Sequence, residues 1–282
     1  MIYRQLSLYD YFGVGRDGAA GGMLRCWAAL TPDKVSPCRR RGAVLILPGG
    51  AYRHTSPREA EPVALRFVAR GYAAFVLDYS CAPSSFPTAL REAAMAMRYI
   101  REHAKEFEVD PRMVAALGFS AGGHLCGTLG TLYDCPEISD IAPAELVRPD
   151  ALVLCYPVAV EWGNTHQESF ENISGGSLEL RRRLSLDRLV RADMPPVFLW
   201  HTRDDASVPV RNSLILTSAL EEKGVDFALH IYRHGQHGLS TADAMAYPVN
   251  AVPPISPDVP GWVDRAMDFL GEIGFQILDR EV

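Results

Sequence analysis

One octapeptide constrains this chain more than any other: Leu117-Gly118-Phe119-Ser120-Ala121-Gly122-Gly123-His124. It is set between a short apolar run, Met113 to Leu117, and a helix-compatible run, Leu125 to Leu132. Its core reads Gly-x-Ser-x-Gly. Where a strand reverses sharply into a helix the backbone crowds itself, and residues without a Cβ are needed on either side of the central serine. Such a turn lifts the hydroxyl out of the sheet. It also sets the next backbone N–H, that of Ala121, at a helix N-terminus, where it can stabilise an oxyanion. The pentapeptide alone arises by chance among small residues. The strand before it and the helix after it make Ser120 a candidate nucleophile rather than an idle serine in a glycine-rich turn.

A turn of that kind needs a sheet, and the rest of the chain supplies one. Residues 43–47 form a continuous apolar run ended by Pro48-Gly49-Gly50, and 73–77, 151–156, 197–201 and 227–232 repeat the pattern. Runs this short and apolar on both faces suit buried parallel strands. Between them the sequence predicts helices over 57–70, 88–107, 210–223 and 262–273. The first has Ser56 as N-cap, Pro62 in its first turn and Gly71 past its end. Residues 1–30 read as irregular chain with one or two edge strands, such as 23–29, and 32–41 as a polar linker. Strands alternating with helices predict an α/β fold, a mostly parallel central sheet with helices on both faces. All 282 residues are expected to form a single domain. Two stretches break the alternation: 161–194, polar and rich in Gly, Ser and Arg, and the Pro-rich 239–261. Ligands bind beyond the carboxyl ends of such strands, so 161–194 is expected to be a small lid-like insertion.

Composition narrows the partners. The chain is 48% hydrophobic and carries a formal charge of −6, which gives no electrostatic case for nucleic acid or an anionic membrane surface. No apolar run is long enough to span a bilayer. Met1-Ile2-Tyr3-Arg4-Gln5 lacks the apolar core and cleavage site of a signal peptide, so a cytoplasmic location is expected. The six cysteines are scattered and form no Cys-x-x-Cys pair. They read as reduced core residues, and neither a metal nor a cofactor is expected. A homo-oligomer is compatible with the sequence.

A serine hydroxyl needs a base, and the base an orienting acid. In the elbow arrangement these follow in the order Ser, Asp/Glu, His. Asp204-Asp205 lie just past the strand 197–201, on the sheet edge where Ser120 emerges; spacing alone does not separate them. The strand 227–232 ends in Arg233-His234-Gly235-Gln236-His237-Gly238, and either histidine fits that loop. His237 lies further out, between glycines that let the loop bend back toward the serine. His201 and His230 sit in strand runs and read as core or strand-end residues, and His124, four residues after Ser120 on the same helical face, reads as packing or as support for the site. His54, His103 and His166 precede the acid and so fall outside the expected order for the base. The remaining oxyanion donor is expected from Pro48-Gly49-Gly50-Ala51, the loop after the first buried strand.

Taken as a set, these segments resemble the α/β-hydrolases. They are Leu47-Pro48-Gly49-Gly50-Ala51-Tyr52, Ser56-Pro57-Arg58-Glu59-Ala60-Glu61-Pro62, Gly118–His124, Tyr156-Pro157-Val158, His201-Thr202-Arg203-Asp204-Asp205-Ala206-Ser207-Val208-Pro209 and Gly235-Gln236-His237-Gly238-Leu239. The nearest group is the acetyl-xylan esterase and feruloyl-esterase-like branch of the carboxylesterases. The resemblance runs from about residue 43 to the C-terminus. It implies Ser120 as nucleophile, His237 as base, and Asp205 as acid, because the family acid stands just before an x-x-Val-Pro segment. It implies an oxyanion hole from Gly49, Gly50 and Ala121. Many carboxylesterases carry His-Gly-Gly where this chain has Pro48-Gly49-Gly50, which narrows the subgroup. The implied substrate is a small-molecule ester, an acetylated or feruloylated sugar such as a xylo-oligosaccharide. Tyr52, Trp162, His166 and Phe170, with Tyr247, are candidates for a sugar-facing pocket. Arylformamidases and peptidase-like hydrolases use the same triad, and a non-catalytic relative would be expected to lack one of its members.

Overall fold

The computed structural model describes residues 1–16, 18–31, 40–246 and 255–275. Its strands are β1 (Ile2–Ser7), β2 (Met23–Ala28), β3 (Arg41–Leu47), β4 (Ala73–Asp78), β5 (Val109–Phe119), β6 (Ala151–Cys155), β7 (Val197–Thr202) and β8 (Phe227–Tyr232). Its α-helices are α1 (Leu8–Phe12), α2 (Glu61–Ala69), α3 (Thr88–Glu102), α4 (Ala121–Thr131), α5 (Ala144–Val147), α6 (Gln167–Ser174), α7 (Leu178–Arg183), α8 (Leu186–Leu189), α9 (Arg211–Glu222) and α10 (Trp262–Glu272). The strands form one sheet in the order β1-β2-β4-β3-β5-β6-β7-β8. β1 and β2 run antiparallel to their neighbours, and β4 through β8 pair in parallel. This is the mostly parallel α/β sheet expected, with an antiparallel edge where the N-terminal residues are more regular than their composition suggested.

Strand side chains alternate between two cores. Leu45 and Leu47 of β3 pack on one face with Leu125 and Leu129 of α4 and Leu216 and Leu220 of α9. Val44 and Ile46 pack on the other with Phe67 of α2 and Trp262 and Phe269 of α10. Both faces of the central strands are buried, which is why they read as unbroken apolar runs. Each such leucine or phenylalanine removed from water contributes on the order of 2 kcal/mol.

Two elements depart from the sequence reading, each for a local reason. The helix expected over 57–70 is split into a single 3-10 turn, Pro57–Glu59, and α2. Between them Ala60 has φ −110°, ψ −104° and Ser56 makes no side-chain cap. The break turns Glu59 into the interior. The third helix stops at Glu102, and β5 has already begun at Val109. Pro111 is accommodated in the strand because the register with β3 shifts between Arg41 and Ala43 there. The insertion 161–194 folds into α6, α7 and α8. Ser177 caps α7 by accepting the Leu180 N–H, and Arg181, Arg182 and Arg183 lie in its last turn, where cations suit the helix dipole.

Candidate active site

Between β5 and α4 the chain turns on Ser120, whose backbone is held at φ 53°, ψ −118°. A non-glycine residue in that region is strained and persists only where its surroundings fix it. Here Ser120 N–H donates to the Cys155 carbonyl at 3.0 Å, and its own carbonyl accepts from His124 and Val158 N–H at 3.1 and 3.0 Å. The flanking glycines are steric necessities. A Cβ on Gly118 would stand 2.1 Å from the Gly122 carbonyl oxygen, and one on Gly122 would stand 2.1 Å from that of Leu47. α4 can therefore start pressed against β3 only because both positions lack a Cβ. It leaves Ala121 as the first residue of α4, where a backbone N–H has no acceptor within the helix.

The three side chains that the family resemblance implied meet at the carboxyl edge of the sheet. His237 Nε2 lies 2.8 Å from Ser120 Oγ, and His237 Nδ1 lies 2.6 Å from Asp205 Oδ2. An ionised carboxylate only accepts. Nδ1–H therefore donates to Asp205, leaving Nε2 as the acceptor for the serine hydroxyl. Asp205 is buried and fully engaged. Its Oδ1 accepts the Ser207 and Val208 N–H groups at 3.0 and 2.9 Å, and its Oδ2 lies 3.3 Å from His201 Nε2. Burial would raise the Asp205 carboxyl, but the hydrogen bonds from His201 and His237 outweigh it and hold the group well below the usual carboxylate range. His201 is oriented for this by Ser213 Oγ at 2.7 Å and the Val208 carbonyl at 2.8 Å. The neighbouring Asp204 takes the other histidine: its Oδ2 lies 2.5 Å from His234 Nδ1, and this pair is half exposed. That contact, with Arg203 beside it, lowers the Asp204 carboxyl.

Ser120 and His237 open into a cavity of about 210 Å³, whose wall includes Gly50, Arg53, Arg58, His166, Glu168 and Ser207. Arg53 pairs with Glu168 at 2.8 Å. Arg58 donates to the Gly238 carbonyl at 2.8 Å, fastening the turn that carries His237. His166 caps α6 and contacts Ser169 Oγ at 2.9 Å. Burial, with His237 nearby, pushes its imidazole below the ordinary value.

Several candidate residues stand elsewhere than the sequence suggested. Gly49 N–H donates to Glu59 Oε2 at 2.8 Å, so this donor is already engaged. Gly50, next along the loop, lines the cavity. Tyr52 is only 2% exposed, its backbone has φ 55°, and its hydroxyl bonds His124 Nδ1 at 2.8 Å behind the serine rather than in the cavity. Phe170 is fully buried against the His124 ring, with centroids 5.2 Å apart. Trp162 lies outside this cavity, its Nε1–H donating to Asp187 at 3.0 Å. Of the four pocket candidates within the described residues, His166 alone lines the cavity; Tyr247 falls outside those residues. Sequence reasoning assigned no role to Glu59, because a carboxylate early in a helix ordinarily faces water. It is buried here, and its Oε1 accepts the Tyr156 hydroxyl at 2.7 Å. Among the described residues no group of three His, Cys, Asp or Glu side chains is placed to hold a metal ion. Among them, too, no helix is long and apolar enough to cross a membrane.

Comparison with known proteins supports an α/β-hydrolase esterase. The family model BD-FAE matches residues 39–220. Endo-1,4-beta-xylanase B of Butyrivibrio fibrisolvens is 36% identical over 85% of this chain and 37% of its own length. Acetylxylan esterase of Xylanibacter ruminicola is 30% identical over 70% of this chain and 40% of its own. The chain thus spans about two fifths of the length of these relatives. Among solved structures, the acetyl ester-xyloside bifunctional hydrolase of Caldicellulosiruptor lactoaceticus superposes with a TM-score of 0.81 at 33% identity. The match covers 96% of this chain and 97% of that one.

Proposed function

This chain belongs to the BD-FAE family of α/β-hydrolase esterases, and from that premise we propose that it is a serine hydrolase of carboxylic esters that removes acetyl groups from short sugar chains such as xylo-oligosaccharides. One observation carries the reading: Ser120 Oγ, His237 and Asp205 form an unbroken hydrogen-bonded series with links of 2.8 and 2.6 Å. His237 takes the Ser120 proton as Oγ attacks the ester carbonyl. The Ala121 N–H at the start of α4 and the Gly50 N–H of the preceding loop receive the developing oxyanion. The imidazolium, steadied by Asp205, gives its proton to the departing alcohol. Water, activated by the same ring, then releases acetate from the acyl-serine.

The acetyl preference draws on the size of the cavity, about 210 Å³, below the roughly 300 to 1,000 Å³ of pockets that enclose drug-sized ligands. Its charged and hydroxyl-bearing wall suits a hydroxyl-rich alcohol better than a lipid. An acetylxylan esterase and an acetyl ester-xyloside hydrolase among the relatives point the same way. The test is a panel of acetylated xylo-oligosaccharides, methyl ferulate and p-nitrophenyl esters of rising chain length, with fluorophosphonate labelling of Ser120. Acetylated sugars are expected to be the best substrates and long acyl chains the worst. Failure of the probe to label Ser120 would remove the mechanism, and a preference for long acyl chains would remove the substrate.

A further inference from the structure

Trp162 lies in a second cavity of about 200 Å³, lined by Val160, Gly163, Asn164, Arg211 and Ile215. The indole is 41% exposed, yet it is fixed. Nε1–H donates to Asp187 on α8 at 3.0 Å. The loop that carries it is pinned from below: Asn212 Oδ1 accepts the Ala159 and Val160 N–H groups at 3.1 and 3.2 Å, and Ser185 Oγ accepts that of Glu161 at 3.0 Å. A tryptophan held this way suits a binding platform, because little side-chain freedom is left to lose on contact. Around the ring stand an amide, Asn164, and the Arg211 guanidinium, with which no carboxylate pairs among the described residues. One wall is thus a flat apolar face and the rest is a set of hydrogen-bonding groups. A pyranose has that duality, with C–H bonds on its faces and hydroxyls at its edge.

The two cavities share one loop. Asn164 lines the outer one and His166 the catalytic one, and two residues of chain span at most about 7 Å. We propose that the Trp162 cavity is a glycosyl subsite. It seats a sugar unit of an oligosaccharide whose neighbouring unit presents its ester to Ser120. This rests on the sugar-ester reading above and adds to it a requirement for more than one sugar unit.

The test compares wild type with Trp162→Ala and Trp162→Phe on acetylated xylose, acetylated xylotetraose and p-nitrophenyl acetate. For wild type the tetraose is expected to be preferred over the monosaccharide. In Trp162→Ala the ratio of kcat/KM for the tetraose to that for p-nitrophenyl acetate is expected to fall about tenfold, through KM, the mark of lost binding rather than lost chemistry. Trp162→Phe, which keeps a ring, should recover part of it. Unsubstituted xylotetraose should also perturb the indole emission of wild type and not that of Trp162→Ala. If wild type prefers the tetraose and Trp162→Ala keeps the preference, the subsite is wrong and the sugar-ester reading stands. If wild type is poor on all the sugar esters, the sugar-ester reading fails and the subsite with it. Loss of a wild-type dimer in Trp162→Ala would make a second copy of the chain the occupant, and would overturn the proposal.

Discussion

Glu59 Oε2 accepts the Gly49 N–H at 2.8 Å while its Oε1 accepts the Tyr156 hydroxyl at 2.7 Å. One buried carboxylate thereby joins the loop after β3 to the support beneath His237. The Tyr156 hydroxyl accepts the Ser240 N–H at 2.8 Å, and the Tyr156 ring meets the His237 ring edge-on at 5.1 Å. Glu59→Gln is nearly isosteric, but an amide cannot accept at both ends, so one of the two donors loses its acceptor. Loosening a loop proposed to supply an oxyanion donor is expected to lower kcat roughly 10- to 100-fold with KM little changed, since losing one such donor outright costs about 10²- to 10³-fold. The unmet hydrogen bond should cost about 1 to 3 kcal/mol of stability. Steady-state kinetics on p-nitrophenyl acetate and urea unfolding separate the two effects. A less stable Glu59→Gln with wild-type kcat would reduce Glu59 to a packing residue.

Two Asp–His pairs lie side by side, and the geometry assigns them different work. Asp205 is buried and holds the histidine that meets Ser120; Asp204 is half exposed and holds His234, which does not. Asp205→Asn is expected to reduce kcat by about 10⁴-fold, as loss of the orienting acid does in other triads, and Ser120→Ala by roughly 10³- to 10⁶-fold. Asp204→Asn should stay within a few-fold of wild type. Esterase assays of the three purified variants decide it, and comparable losses in the two Asn variants would show that the acids are not distinguished as the geometry indicates.

How much of this was legible in the sequence follows from the range of each interaction. The strands and the elbow were, because apolar runs and a Gly-x-Ser-x-Gly turn are local patterns. The order of serine, acid and histidine was too, because strand ends share one edge. Spacing alone did not separate Asp204 from Asp205: adjacent residues past a strand end differ only in which side of the chain they leave by. What distinguishes them is mostly distant, namely the His237 ring on one side, joined by the nearby His201, and His234 on the other. Tyr52 and Phe170 were legible as aromatics near a glycine loop, but not as neighbours of His124. Tyr52 turns inward through a positive φ that no composition rule announces. Glu59 was the least legible, since its partners Gly49 and Tyr156 meet it only once β3, the 3-10 turn and the end of β6 are assembled.

The glycines of the elbow make a steric prediction that a control can calibrate. Gly122→Ala puts a Cβ 2.1 Å from the Leu47 carbonyl oxygen and 2.4 Å from that of Pro48. Backbone on both sides cannot yield, so α4 must move away from β3. The variant is expected to lose several kcal/mol, beyond the roughly 1 to 3 kcal/mol of ordinary overpacking, and essentially all activity. Gly271, inside α10, has nothing within 4 Å of its would-be Cβ. Gly271→Ala should therefore be stabilising by about 0.5 to 1 kcal/mol through helix propensity, with activity retained. Chemical denaturation of both measures the contrast, and a Gly122→Ala protein as stable as wild type would mean that the turn is looser than its geometry states.

His124 makes stability depend on pH in a direction that can be worked out. Its Nε2–H donates to the Leu184 carbonyl at 2.8 Å and its Nδ1 accepts from Tyr52, so the neutral ring is the form that fits. Burial lowers its pKa from 6.5 to about 4, against a smaller opposing effect of the Leu184 bond. Between those values the unfolded chain binds a proton that the folded protein refuses. Stability is therefore complete above about pH 6.5 and declines as the pH falls toward 4, by about 3 kcal/mol over the full window. His124→Gln, uncharged throughout, should be less stable than wild type at pH 7.5 because it fits the two partners less well. It should also lose less on acidification, so the two unfolding free energies converge by pH 5. Urea titrations at pH 7.5, 6 and 5 on both proteins read this as a difference of slopes, in which the other titrating groups cancel. Parallel pH profiles would show that His124 does not resist protonation in the folded state.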